Sequence, residues 1–275
     1  MSNCGSCPSK GECNKDQQSC GIQNNPLNKI KKIIGIMSGK GGVGKSTVSA
    51  LIARNLAKQG YKVGVLDADI TGPSIPRLLG VKDAKAMGAP NNCIYPVQSA
   101  DGIKVMSLNL LLEDENQPVI WRGAMISNTV KQFYTDVIWG ELDYLLIDMP
   151  PGTGDVALTV MQSIPINGIV MVSVPQDMVS MIVAKAVNMV KKLNIEIIGL
   201  VENMSYIICP GCETKISFHE ESGAHDFLKE MGLPLLGELP MTKGFARMTR
   251  GEESADSSAM FTPITDKILT EISKL

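Results

Sequence analysis

The chain has 275 residues, with 26 Lys and Arg against 28 Asp and Glu, and its formal charge of −2 excludes attachment to nucleic acid or anionic lipid through net charge alone. Hydrophobic residues make up 44% and aromatic residues only 4%, so a sizeable core is available but must be built from Ile, Val, Leu, Ala and Met. No apolar run approaches the roughly 20 residues of a bilayer span, and the polar N-terminus shows no apolar segment of a secretory signal. The expectation is a cytoplasmic protein with no membrane and no nucleic-acid partner.

Residues 1–28 are rich in Cys, Asn, Gln, Gly and Ser. They cannot pack a core alone and are expected to form a tail ordered, if at all, by a metal. A single domain is expected over 29–275. In it Ile33–Met37 is a short apolar run that fits a buried strand, Val48–Lys58 a helix ending near Gly60, and Lys62–Leu66 a second strand stopping at Asp67. Further strands are expected at Ile103–Leu108, Tyr144–Ile147, Ile169–Val174, Ile195–Val201 and Leu235–Leu239. Helices are expected at Ile126–Ile138, Met178–Leu193 and Ser222–Met231. Short apolar strands alternating with helices predict an α/β fold, a mostly parallel central sheet covered on both faces. The last stretch places Ile264, Ile268, Ile272 and Leu275 on one helical face, while its polar side carries cancelling charges, so it reads as a helix docked on the domain.

Gly39-Lys40-Gly41-Gly42-Val43-Gly44-Lys45-Ser46-Thr47 matches G-x-x-x-x-G-K-[ST] between a strand and a helix. Glycines let the backbone turn its N–H groups inward around phosphate oxygens, and the helix N-terminus adds free donors and a favourable dipole. Lys45 can reach the β- and γ-phosphates and Ser46 can ligate Mg²⁺, so the chain is expected to bind and hydrolyse ATP. Two strand-end carboxylate sites complete the set. Asp148 closes Tyr144-Leu145-Leu146-Ile147, the setting of a Walker B aspartate, and the turn-rich Pro150–Asp155 after it is an expected switch II. Asp67 and Asp69 end the second strand, where a carboxylate can hold Mg²⁺ or orient the attacking water.

Seven cysteines remain to be placed. Cys209-Pro210-Gly211-Cys212 sits in a loop expected after the strand that ends near Val201. Nothing around it reads as a thioredoxin-type strand and helix. Zinc needs four ligands and only two are local; His219 and His225 can supply the rest, or two pairs can face each other across a dimer axis. Four thiolates suit a [4Fe–4S] cluster as well as zinc. Cys4, Cys7, Cys13 and Cys20 lie within 17 residues of tail, open to a second iron–sulfur cluster, zinc or no metal. Cys93 has no assigned role.

The loop Gly39–Thr47 resembles the deviant Walker A families, in which the equivalent of Lys40 reaches the partner's nucleotide across a dimer. Taken with Asp67-Ala68-Asp69-Ile70-Thr71-Gly72-Pro73-Ser74, Trp121-Arg122-Gly123, Asp148–Asp155, Glu202-Asn203-Met204-Ser205 and Cys209–Cys212, the sequence is similar to the Mrp/ApbC iron–sulfur carrier ATPases of the MinD-like P-loop group over about 30–275. The resemblance implies a homodimer that holds a labile [4Fe–4S] cluster at Cys209 and Cys212 and exchanges it with a donor and apo iron–sulfur proteins. It also implies that Lys40 stabilises phosphate charge, Asp69 positions the water and Asn203 contacts adenine. The tail spacing is similar to that of the eukaryotic cytosolic scaffold branch, though Cys20 lies downstream where that branch has an upstream cysteine. The alternatives are a MinD- or ParA-like positioning ATPase, a reductase like the nitrogenase iron protein, whose cluster cysteines are far apart in sequence, and a nickel or zinc insertase.

Overall fold

The computed structural model describes residues 24–115, 117, 121–175, 177–217, 228–229, 231–242 and 255–274. Its strands are β1 (Lys29–Ser38), β2 (Val63–Asp67), β3 (Met87–Ala89), β4 (Cys93–Tyr95), β5 (Val97–Gln98), β6 (Lys104–Met106), β7 (Glu141–Asp148), β8 (Gly168–Ser173), β9 (Glu196–Ile208), β10 (Lys215–Ser217) and β11 (Leu235–Pro240). Its helices are α1 (Lys45–Lys58), α2 (Ile75–Leu78), α3 (Gly123–Thr135), α4 (Asp155–Ser163), α5 (Asp177–Lys192) and α6 (Ala255–Ile272).

The main sheet runs β10-β9-β8-β1-β7-β2-β6-β5, with β11 also paired to β9. Its central pairs β8–β1, β1–β7, β7–β2 and β2–β6 are all parallel. Short antiparallel strands, β5 and β10, close its two ends. The parallel strands need crossovers, and the helices that supply them cover both faces.

Alternation along each strand sorts the core into two layers. Ile33 and Met37 of β1 join Leu145 and Ile147 of β7 on the face covered by α3, α4 and α5. Ile34 and Ile36 join Leu146, Val63 and Val65 on the face covered by α1 and α6. The side chains of Ile264, Ile268 and Ile272 are buried, as the periodicity of the last helix required; Leu275 lies outside the described residues. Trp139 fills the space left by Gly64, whose absent Cβ would lie 3.0 Å from the indole, and donates from Nε1 to the Phe133 carbonyl at 3.0 Å.

Several boundaries differ from expectation. The chain is fastened to the domain before residue 29: Asn28 donates to the Val137 carbonyl at 2.9 Å and accepts from Gly140 N–H at 2.9 Å, and Asn25 is buried. The third expected strand is reduced to Lys104–Met106, because Leu108–Leu110 turns as a 3₁₀ helix. The helix expected over 126–138 begins at Gly123 and ends at Thr135. The strand expected to stop near Val201 continues to Ile208. Most of the helix expected at 222–231 lies outside the described residues.

Candidate functional site: a phosphate loop and a thiol hairpin on one rim

Because β1, β2, β7, β8 and β9 run parallel, their carboxyl ends share one rim of the sheet, where ligand clefts of open α/β folds form. The glycine-rich loop follows β1 and delivers the chain into α1 through Gly44, whose φ of 81° is left-handed. Facing it, the segment after β2 brings Asp69, Gly72, Ser74 and Arg77 to the opposite wall. The cleft between them holds about 580 Å³ and is also lined by Gly41, Gly42, Lys45, Ser46 and Thr47. Lys40 is exposed at its edge, and its carbonyl accepts from the Ser38 hydroxyl at 3.0 Å.

At the floor lies Asp148, wholly buried at the end of β7. Its Oδ2 accepts from Ser46 Oγ at 2.6 Å and pairs with Lys45 Nζ at 2.8 Å; its Oδ1 accepts from Ser49 Oγ at 2.6 Å. Asp67 is its register partner on β2. Burial, and then the neighbouring Asp148 charge, push the Asp67 carboxyl up to about 8. Its oxygens accept from Ser107 Oγ at 3.1 Å, from Asp69 N–H at 3.2 Å and, more weakly, from Ile75 N–H at 3.4 Å. Two adjacent buried carboxyls beside a serine hydroxyl are a hard-oxygen donor set that fits Mg²⁺, whose charge would displace the proton that burial keeps on Asp67. Asp69 Oδ1 accepts from the Thr71 hydroxyl at 3.2 Å.

Ser49, Ser107 and Arg77 belong to the site but to none of the sequence motifs. Ser49 has a legible signal, because it lies one helical turn past Ser46 and so faces the same carboxylate. Ser107 and Arg77 have none, since both are brought in by tertiary structure.

Asn203 sits on β9 with its side chain buried against the phosphate loop, donating from Nδ2 to the Val43 carbonyl at 2.9 Å. β9 then runs on to Ile208, so Cys209 and Cys212 occupy the tight turn of a β9–β10 hairpin rather than a loop after Val201. Cys209 N–H donates to the Thr214 carbonyl at 3.0 Å, and Glu213 N–H donates back to Cys209 at 2.9 Å with a left-handed φ of 57°. Cys212 is exposed and hydrogen-bonds the Thr214 hydroxyl at 3.2 Å; that hydroxyl, the Thr214 backbone and the Cys209 thiol together hold the Cys212 thiol below its ordinary range. Among the described residues no group of three or more His, Cys, Asp or Glu side chains gathers to hold a metal ion. Cys93 is a half-buried thiol that accepts from Asn25 Nδ2 at 3.4 Å. Cys4, Cys7, Cys13 and Cys20, and His219 and His225, lie outside the described residues. No helix among those residues is long and apolar enough to cross a membrane.

A parallel sheet, a glycine-rich loop leading into α1, and a Lys45–Asp148–Ser46 cluster at the floor of the cleft define a P-loop NTPase, an ATPase. Residues 29–273 match the family described as NUBPL iron-transfer P-loop NTPase, and the chain belongs to that family. It is 49% identical over 254 residues to the iron-sulfur cluster carrier protein of Clostridium perfringens, covering 88% of this chain and 89% of that one. It is 49% identical over 244 residues to the carrier protein of Methanocaldococcus jannaschii, covering 86% and 83%. Among solved structures it is similar to the nucleotide-binding protein of Archaeoglobus fulgidus in complex with ADP, at 42% identity and a TM-score of 0.71 over 80% of this chain and 86% of that one. The cell division ATPase MinD of Pyrococcus furiosus shares the fold at 23% identity and a TM-score of 0.64, over 87% and 99%.

Proposed function

We propose that the chain is an ATP-dependent iron–sulfur cluster carrier, cytoplasmic and homodimeric, whose cargo is a [4Fe–4S] cluster held by Cys209 and Cys212 of two copies. The observation that carries this reading is the hairpin itself. It presents two thiols, one exposed with a lowered pKa, on the rim that also holds the nucleotide cleft. A pair of thiols supplies half of a four-thiolate site, and a second copy related by a two-fold axis supplies the rest. Donors and recipients of the cargo are a cluster source and apo iron–sulfur proteins. Cys4, Cys7, Cys13 and Cys20 precede the family match at 29–273; within 17 residues they would supply four thiolates to a second cluster or to zinc.

Hydrolysis follows from the cleft. The inward N–H groups of 39–47 and the Lys45 ammonium bind the β- and γ-phosphates. Ser46, Asp148 and Asp67 would hold Mg²⁺, which neutralises phosphate charge when bound. Asp69 orients a water toward the γ-phosphorus. A P–O bond forms to that water as the bond to the bridging oxygen breaks, ADP leaves, and the water's proton passes to phosphate or solvent. By the family resemblance Lys40, exposed beside the loop, would neutralise phosphate charge in a second copy, and Asn203, on β9 beside Val43, would contact the adenine base.

The test is metal analysis. Cys209→Ala and Cys212→Ala proteins, purified anaerobically, are expected to lose dimer-bound iron and sulfide while binding ADP with unchanged affinity. Iron and sulfide at wild-type levels in either variant would sink the reading.

A further inference from the structure

Both chemistries of the rim meet on one strand. β8 ends at Ser173, opposite Glu202, but β9 continues to Ile208, so its last residues overhang their inner neighbour. The overhang begins with an irregularity. Glu202 pairs with Glu238 and Tyr206 with Pro240, so residues 203–205 of β9 stand against Leu239 alone. Met204, inside this bulge, has a φ of 55°, which a residue with a side chain adopts only where its surroundings enforce it. Bulges of this kind re-aim side chains beside active sites.

Here the bulge aims two side chains at the phosphate loop. Asn203 donates to the Val43 carbonyl at 2.9 Å. A Cβ added to Gly44 would collide with Asn203 Nδ2 and lie 3.6 Å from Met204 Cε, so β9 touches the loop where it becomes α1. Beyond the bulge the strand is braced. Tyr206 O accepts from Met241 N–H at 2.8 Å, Lys215 lies 4.4 Å above the Tyr206 ring, and Lys215 pairs with Glu238 at 2.6 Å. Cys209 follows directly. A buried amide cannot abandon its acceptor without penalty, so a loop that shifts around phosphate draws Asn203 with it. The braced strand is continuous from Met204 to Ile208 and would carry such a displacement into the turn at Cys209.

We propose that Asn203 and Met204 are positioning residues through which occupancy of the phosphate loop sets the reactivity of Cys209 and Cys212. The purpose of this link rests on the carrier reading; its test does not, because the test uses metal-free protein. Full-length protein is stripped of metal and diluted until light scattering reports a monomer. The iodoacetamide alkylation rate of each cysteine is then followed by peptide mass spectrometry, with and without saturating ADP. The wild-type rate is expected to change about fivefold, the low end of ordinary coupling between sites. Asn203→Asp removes the N–H donor at nearly constant shape and should bring the ratio close to one, with ADP affinity measured separately so that saturation holds. Met204→Gly accepts the left-handed backbone without strain, so it should fold and keep the Asn203 bond, yet its pliant joint should lower the ratio at least twofold. A wild-type rate indifferent to ADP, or an undiminished ratio in Met204→Gly, overturns the proposal. Either result leaves the iron and sulfide measurement on the cysteine variants untouched, so the two readings can fail separately.

Discussion

Asp148 is a buried carboxylate that survives burial by being fully engaged. Two hydroxyls and an ammonium converge on its two oxygens, which offsets the desolvation that an isolated charge would suffer. Asp67, one strand away, forms no ion pair among the described residues; burial and the Asp148 charge outweigh the pull of Lys45, and its carboxyl holds a proton up to about pH 8. The sign of the consequence follows from linkage. An unfolded Asp ionises near 4, so between about 4 and about 8 the native state holds a proton that the unfolded state has lost. Stability from this group is complete below that window and declines as pH rises through it. Nucleotide- and metal-free protein should therefore show a fall in unfolding free energy across that window, measured by urea titration at several pH values. Asp67→Asn should flatten it. An equal pH dependence in the variant would show that another group is responsible.

At the scale of elements, local chemistry made some features readable and tertiary contacts concealed others. The phosphate loop is legible because its glycines, lysine and serine are contiguous and perform their role through the backbone. The terminal helix is legible because Ile264, Ile268 and Ile272 repeat at helical spacing. They pack beneath the sheet with Phe261, and Ile268 is fully buried, so Ile268→Ala should cost about 2–5 kcal/mol, read as a lower urea midpoint at unchanged m-value. The β3–β4 hairpin is not legible: its strands have three residues each, and its turn is Asn91-Asn92, both with φ near 60°, rather than the Asn-Gly that usually marks such a turn. The full length of β9 is hidden for another reason. Glu202, Asn203 and Ser205 read as polar punctuation, yet all three are buried, with Asn203 satisfied by the phosphate loop and Ser205 by Glu202. The helix at Asp155–Ser163 is masked by the Pro-Pro-Gly-Thr-Gly that precedes it.

For the molecule as a whole, the parallel order of strands is what joins nucleotide chemistry to thiol chemistry, since every strand that matters ends on the same side. Ligand that binds only the native state stabilises it by mass action, about 2.7 kcal/mol at a hundredfold excess over Kd. ADP at that excess should raise the melting temperature by roughly 5–10 °C for a domain of this size. The Lys45→Ala protein should show little of that rise, measured by thermal melts in parallel. The overhang of β9 carries one more implication, concerning spacing. Side chains alternate along a strand with period two and rise about 3.3 Å per residue. Adding two residues between the bulge and Cys209 would lift the sulfurs about 7 Å farther from the triphosphate pocket while preserving the direction they face; adding one would turn them to the reverse side. Strand parity sets the face of the hairpin from which the cysteine turn departs.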